Sequence, residues 1–328
     1  MTRIGIIGAG RIGQIHAANL HRHPRADLRY VVDVSDAAAN ALASACDAKT
    51  TSTEALLSDD AIDAVVIASS TDTHAEFVCQ SAQAGKAIFC EKPLDLDVDT
   101  AKQSLREVDK HNVLLCLGFN RRHDPSFNRL KQEIDSGNVG NVEFVSIISR
   151  DPSPPPIEYI GRSGGLFRDM MIHDFDMARW LLGEEPVEVF ASGSVLVDPN
   201  IGKAGDVDTA AATLRTKSGR LCQISNSRRC SYGYDQRIEV FGSTGMARAG
   251  NHRETHVETA DEGGFSRDPV LPFFRERYAD AYRIQLDKFL RAVRGEDIDL
   301  PGGKDGLRAL QLADAAQQSS ETGCPSAV

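Results

Sequence analysis

The 328-residue sequence predicts a doubly wound α/β domain over 1–120, followed by an α+β domain over 121–328 built on a large, mainly antiparallel, open sheet. Three observations carry this reading. Strand and helix patterns alternate through the first part, which calls for a parallel sheet with helices on both faces. A glycine-rich loop joins the first strand to the first helix. Beyond residue 121 the alternation stops, and strand-like runs succeed one another across short polar turns.

In order, "RIGIIG" (3–8) is a short buried strand, continued by "LRYVVDV" (28–34), "AVVIAS" (64–69), "AIFCEKP" (87–93) and "VLLCLGF" (113–119), with a short strand at Lys49–Thr50. Helical periodicity fills 11–22, 35–46, 73–84 and 97–110. The second part opens with a helix over 125–136, a strand over 142–150, a Pro-rich loop "DPSPPPIEYIG" (151–161) and one helix, "GGLFRDMMIHDFDMARW" (164–180). Strands follow over 187–197, 207–216, 219–228, 235–242 and 245–249, with hairpin turns at "KSGR" and "GSTG". Helices over 273–294 and 304–318 end the chain, with packing back onto the first domain as the alternative to their place in the second.

The loop Gly8-Ala9-Gly10-Arg11-Ile12-Gly13 follows a strand, opens a helix and precedes Asp33 at the end of the second strand. That context marks a dinucleotide-binding Rossmann crossover. Gly8 permits the turn, Gly10 lets the pyrophosphate approach the backbone, and Gly13 lets the helix pack close to the sheet. The helix N-terminus then offers N–H groups to the anion. Asp33 is placed to accept hydrogen bonds from the adenosine ribose, which favours NAD over NADP. No Arg or Lys follows it immediately, and Arg11 suits the pyrophosphate or adenine side. The alternative role for Asp33 is to cap the helix beginning near Ser35.

"SSTDTH" (69–74) and "CEKP" (90–93) fall where the sheet presents its carboxyl ends. Ser69, Thr71, His74, Glu91 and Lys92 are therefore cofactor-side candidates, and Pro93 biases Lys92 toward an extended conformation. In the helix over 164–180, Asp169, His173 and Asp176 share a narrow stripe, opposite Met171, Phe175, Ala178 and Leu182. A solvated face is usually wider and richer in Lys and Glu. One helix face rarely completes a metal's coordination sphere, and no second cluster has ligand spacing, so no metal is expected.

The net charge of −10 is spread along the chain and disfavours nucleic acid or an anionic membrane as partner. The basic clusters "NRRH" (120–123) and "NSRRC" (226–230) are too short to change this. No apolar run approaches the ~20 residues that span a bilayer. The N-terminus enters a strand pattern without a signal peptide's regions, and seven scattered cysteines form no CxxC pair. A cytoplasmic protein is expected.

"FCEKP", "GFNRRHDPSF", "SRDPSPPP", "GGLFRDMMIHDFDMARWLLGE", "NSRRCSYGYDQRIEVFGS" and "RYADAY" resemble the glucose–fructose oxidoreductase and inositol dehydrogenase family along the whole chain, in its inositol branch above all. The resemblance implies NAD-dependent oxidation of myo-inositol to 2-keto-myo-inositol (scyllo-inosose), and a homotetramer packed through the open sheets. It implies Lys92, Asp169 and His173 as catalytic trio, with Asn120, Arg121, Asp151, Tyr234 and Tyr282 as weaker substrate contacts. The pattern departs at His123, where an aromatic residue is expected, and at Met170, where some relatives carry threonine. The chemistry of the trio agrees. An imidazole titrating near 6.5 accepts the hydroxyl proton, Asp169 one turn earlier orients the ring, and Lys92 favours alkoxide character on the reacting oxygen. The alternatives are a dehydrogenase of another cyclic polyol or aldose, and a catalytically inactive NAD-binding regulator.

Overall fold

The computed structural model describes residues 1–328. Two compact units are formed: Met1–His123 with Asp280–Leu310, and Asp124–Ala279 with Gln311–Val328. The segment 280–310 thus belongs with the first unit.

In the first unit the elements run β1 (Thr2–Ile7), α1 (Arg11–Arg22), β2 (Ala26–Val32), α2 (Asp36–Ala45), β3 (Lys49–Thr50), α3 (Thr53–Ser58), β4 (Ala64–Ile67), α4 (His74–Gln83), β5 (Ala87–Cys90), α5 (Val98–His111) and β6 (Leu115–Leu117). The sheet is parallel, in the order β3-β2-β1-β4-β5-β6. This is the doubly wound order, with the switch point between β1 and β4. β4 and the inner part of β1 are buried on both faces, which is why they read as continuous apolar runs rather than alternating ones.

In the second unit come α6 (Pro125–Asp135), β7 (Val142–Arg150), α7 (Ile157–Ser163), α8 (Gly165–Asp169), α9 (Ile172–Leu182), β8 (Pro186–Ser194), α10 (Pro199–Lys203), β9 (Thr209–Thr216), β10 (Leu221–Ser227), β11 (Asp235–Gly242), β12 (Gly245–Ala249), β13 (Glu258–Asp261), β14 (Gly264–Arg267) and α11 (Phe274–Arg277). The chain then runs through α12 (Ala279–Val293), α13 (Gly303–Thr322) and β15 (Ser326–Ala327). The large sheet has the order β12-β11-β7-β10-β9-β8-β15 and is antiparallel except where β10 pairs with β7. The alternation along β9 and β11 buries one face and exposes the other.

Three expectations are corrected here. The Pro-rich segment 151–161 is a loop only as far as Pro156, whose φ of −56° starts α7 directly. The single helix over 164–180 is two. Met170 and Met171 keep right-handed dihedrals, but both of their N–H groups donate to the Leu166 carbonyl, so the hydrogen-bond register slips between α8 and α9. The helix over 273–294 is likewise interrupted at Tyr278. Its neighbour Arg277 is drawn into a buried ion pair with Asp124, the residue that also caps α6.

Candidate active site

In the first unit, Gly8 turns the chain at φ +107°, and a Cβ there would lie 2.4 Å from the Ala68 carbonyl oxygen. A Cβ on Gly13 would lie 2.0 Å from the Gly8 oxygen, so α1 reaches the sheet this closely only with glycine. Gly10 is different, because nothing lies within 4 Å of where its Cβ would be. It is the N-cap of α1 and provides no side-chain cap hydrogen bond. The first-turn N–H groups, those of exposed Arg11 and half-buried Ile12 among them, lack helical partners. Open space beside uncapped N–H groups fits the pyrophosphate of a dinucleotide.

Asp33 belongs to this loop. Its Oδ2 accepts from the Ala9 N–H at 2.6 Å and its Oδ1 from the Ser35 N–H at 2.8 Å. The cap of α2 is Ser35, whose hydroxyl accepts from the Ala38 N–H, so Asp33 does not cap that helix. A carboxylate has about four acceptor positions, two of them still open for ribose hydroxyls.

After β4, Ser69 shares a 2.7 Å hydrogen bond with Thr73, and Thr71 opens a 3₁₀ turn over Thr71–Thr73. His74 lies buried beneath this edge rather than open on it. It is 2% exposed, with Nδ1 2.7 Å from the Pro93 carbonyl oxygen and Nε2 3.2 Å from that of Ser69. Burial pushes its imidazole below the usual range. Glu91 is buried against His16 at 2.7 Å, while Lys92 between Glu91 and Pro93 is half-buried. In the 3₁₀ turn Asn120–His123, Asn120, Arg121 and His123 are buried, and Arg122 pairs with Asp305 at 2.7 Å. Neither His123 ring nitrogen has a hydrogen-bond partner. Burial first, then the charges of Lys288 and Arg122, pushes the imidazole down to about 3, so a neutral ring occupies the position where an aromatic residue was expected.

In the second unit, the carboxylate stripe resolves into unlike residues. Asp169 ends α8, where its Oδ1 accepts from the Tyr159 hydroxyl at 2.9 Å and its Oδ2 lies 3.5 Å from Arg228. Arg228 is 1% exposed and also lies 3.6 Å from Asp206. Asp206 accepts in turn from the Leu166 N–H at 2.9 Å, so a buried brace grips both ends of α8. His173 sits in the first turn of α9, and from Ile172 to Arg179 it is the one residue not buried. Asp174 beside it pins the helix, accepting from Ser149 of β7 at 2.6 Å and Asn226 of β10 at 2.9 Å. Asp176, expected on the polar stripe, is buried 3.9 Å from Arg179.

Asp151 is half-buried after β7, its N–H bonded to the Ser227 carbonyl. The two tyrosines sit among rings: Tyr234 edge-on to Phe273 and Tyr278, and Tyr282 edge-on to His16 in the first unit. Sequence reasoning passed over Arg228, Asp206 and His16. Only His16 left a signal, as a polar residue on the buried face Gly13, His16, Ala17, Leu20 of α1.

No helix is long and apolar enough to cross a membrane. Residues 2–119 match the model of an oxidoreductase family, NAD-binding Rossmann fold, and residues 131–328 match its C-terminal alpha/beta domain. The chain is 51% identical over 319 residues to an inositol 2-dehydrogenase of Rhizobium meliloti, covering 97% of this chain and 96% of that one. It is 49% identical to a myo-inositol 2-dehydrogenase of Thermotoga maritima, over 97% and 96% of the two chains. The crystal structure of a Lactobacillus casei scyllo-inositol dehydrogenase with bound NAD(H) and scyllo-inositol superposes with a TM-score of 0.93 at 29% identity, over 100% and 99% of the chains. With its glycine loop, its two sheets and full-length matches to both domain models, the chain belongs to this family of NAD-binding oxidoreductases.

Proposed function

We propose that the chain oxidises myo-inositol at one ring hydroxyl to 2-keto-myo-inositol (scyllo-inosose). The observation that carries this is His173, a half-buried imidazole on an otherwise buried stretch of helix, downstream of a carboxylate held by a tyrosine and a buried arginine. Gly8, Gly10, Arg11, Ile12, Gly13 and Asp33, with Ser69 and Thr71 at the β4 end, would hold NAD, which when bound would supply the hydride acceptor. His173 takes the hydroxyl proton, Asp169 favours the resulting imidazolium, and the Lys92 ammonium donates a hydrogen bond to the reacting oxygen. Asn120, Arg121 and Asp151 contact the remaining hydroxyls.

The choice of an inositol over an aldose is supported by the two relatives near 50% identity, both named for inositol oxidation. A homotetramer is supported by the exposed sheet face, where the register lines up Leu221, Phe144, Phe241 and Met246 across four strands. Seven thiols with no disulfide among them suit the cytoplasm. The test is NADH formation, followed by absorbance, over a panel of inositols and aldoses. Turnover with an aldose and none with myo-inositol refutes the substrate, and a monomer by light scattering refutes the assembly.

A further inference from the structure

Two buried histidines of the first unit end on the residues that flank Lys92. His16 of α1 is 0% exposed, and its Nε2 lies 2.7 Å from Glu91 Oε1. Its ring is edge-on to Phe89 at 5.0 Å and Tyr282 at 5.9 Å, and its Nδ1 has no hydrogen-bond partner. The ring proton is therefore assigned to Nε2, which donates to the Glu91 carboxylate. Glu91 fills the space Gly118 leaves, since a Cβ there would fall 2.7 Å from Oε2, and that oxygen accepts from the Lys92 N–H at 3.3 Å.

On the other side, His74 of α4 lies 2.7 Å from the Pro93 oxygen and 3.2 Å from the Ser69 oxygen. A neutral imidazole has one N–H, and the shorter contact assigns it to Nδ1, donating to Pro93. Its Nε2, an acceptor in this tautomer, packs near the Ser69 carbonyl without a hydrogen bond, so the ring's hold is on Pro93 at the end of β5.

We infer that His16 and His74 are positioning residues that fix Lys92 from either side, and that His16 ties its placement to the helix whose N-terminus receives the pyrophosphate. This rests on the reading of Lys92 as the group that binds the reacting oxygen. Rigid backing of this kind matters because a misplacement of about 1 Å can cost about 10²-fold in rate.

The test compares His16→Leu, His74→Leu, His74→Asn and Lys92→Met, alone and paired with Lys92→Met, for kcat, NAD affinity by fluorescence titration, and Tm. Each leucine variant should lose about 10- to 100-fold in kcat with NAD affinity within about twofold. Asparagine carries its amide N–H where Nδ1 stood, so His74→Asn should recover most of the loss. In the Lys92→Met background the leucine replacements should cost nothing further, because the group they position is gone. Losses that multiply in the double variants overturn the inference, and so does a loss confined to NAD affinity. Should His74→Leu fail to fold, His74→Asn and His74→Gln decide, since glutamine puts its amide nearer the Nε2 position; equal turnover overturns it. Undiminished kcat in Lys92→Met refutes the reading of Lys92 itself.

Discussion

Replacing His123 with phenylalanine should make the protein less sensitive to acid, by an amount that follows from where the imidazole sits. The ring is 3% exposed, neither nitrogen has a partner, and its pKa is pushed down to about 3, against about 6.5 in an unfolded chain. Because the folded value is the lower one, the unfolded chain binds a proton between these limits that the folded chain does not. Stability is therefore unaffected by this group above about pH 6.5, and falls by about 1.4 kcal/mol for each pH unit below it, down to pH 3. By pH 5 the penalty is about 2 kcal/mol. Phenylalanine carries no such term. At neutral pH its effect mixes relief of two desolvated nitrogens, about 1–3 kcal/mol each, with the strain of a larger ring, so the diagnostic quantity is how the difference changes with pH. Urea unfolding at pH 7.5, 6 and 5 should show the variant gaining about 2 kcal/mol on the wild type across the range. His74 titrates low as well but is common to both proteins and cancels. A stability difference that stays constant from pH 7.5 to 5 refutes the argument.

Removing the proposed base, as in His173→Ala, should lower kcat by about 10²–10⁴-fold while NAD still titrates the protein; near-normal turnover would return His173 to a structural role. Asp33→Ala should cost about 10- to 100-fold in kcat/KM with NAD and move the preference toward NADP, with the α2 cap intact because Ser35 makes it; an unchanged NAD/NADP ratio is the contrary result. Arg228→Met strands Asp169 and Asp206 without their shared cation and should destabilise the protein by about 3–5 kcal/mol in urea unfolding. A wild-type unfolding midpoint would mean that the brace around α8 is dispensable.

The alternating part of the first unit, residues 1–119, was legible because its signals are local. A buried strand shows as an apolar run, and the glycine loop is written in consecutive residues whose steric reasons hold wherever the pattern occurs between strand and helix. The parallel pairing of β10 with β7 was not legible, since partners so far apart in the chain leave no mark on either strand's own pattern. Nor was the slip at Met170 and Met171, where apolar periodicity and right-handed dihedrals both continue and only the hydrogen-bond register changes. Asp169 and His173 were picked out by spacing on one helix, yet they stand on two. Arg228 lay inside a short basic cluster, and a lone buried arginine is defined by carboxylates that folding brings to it.

The core of the NAD-binding unit takes Leu286, Phe289 and Leu290 from α12 and packs them with Phe89, Cys116 and the β1 and β4 strands. During synthesis, then, the glycine loop emerges early, but the unit that holds it stays incomplete until residue 310 has left the ribosome. At about 5–20 residues per second, the 187 residues from 124 to 310 take roughly 10–40 s, with the C-terminal side of that core exposed throughout. A chain released after residue 123 would carry the whole dinucleotide fingerprint and still lack part of the apolar interior that supports it. In that interval the nascent chain shows the solvent an apolar surface that Leu286, Phe289 and Leu290 cover in the finished unit.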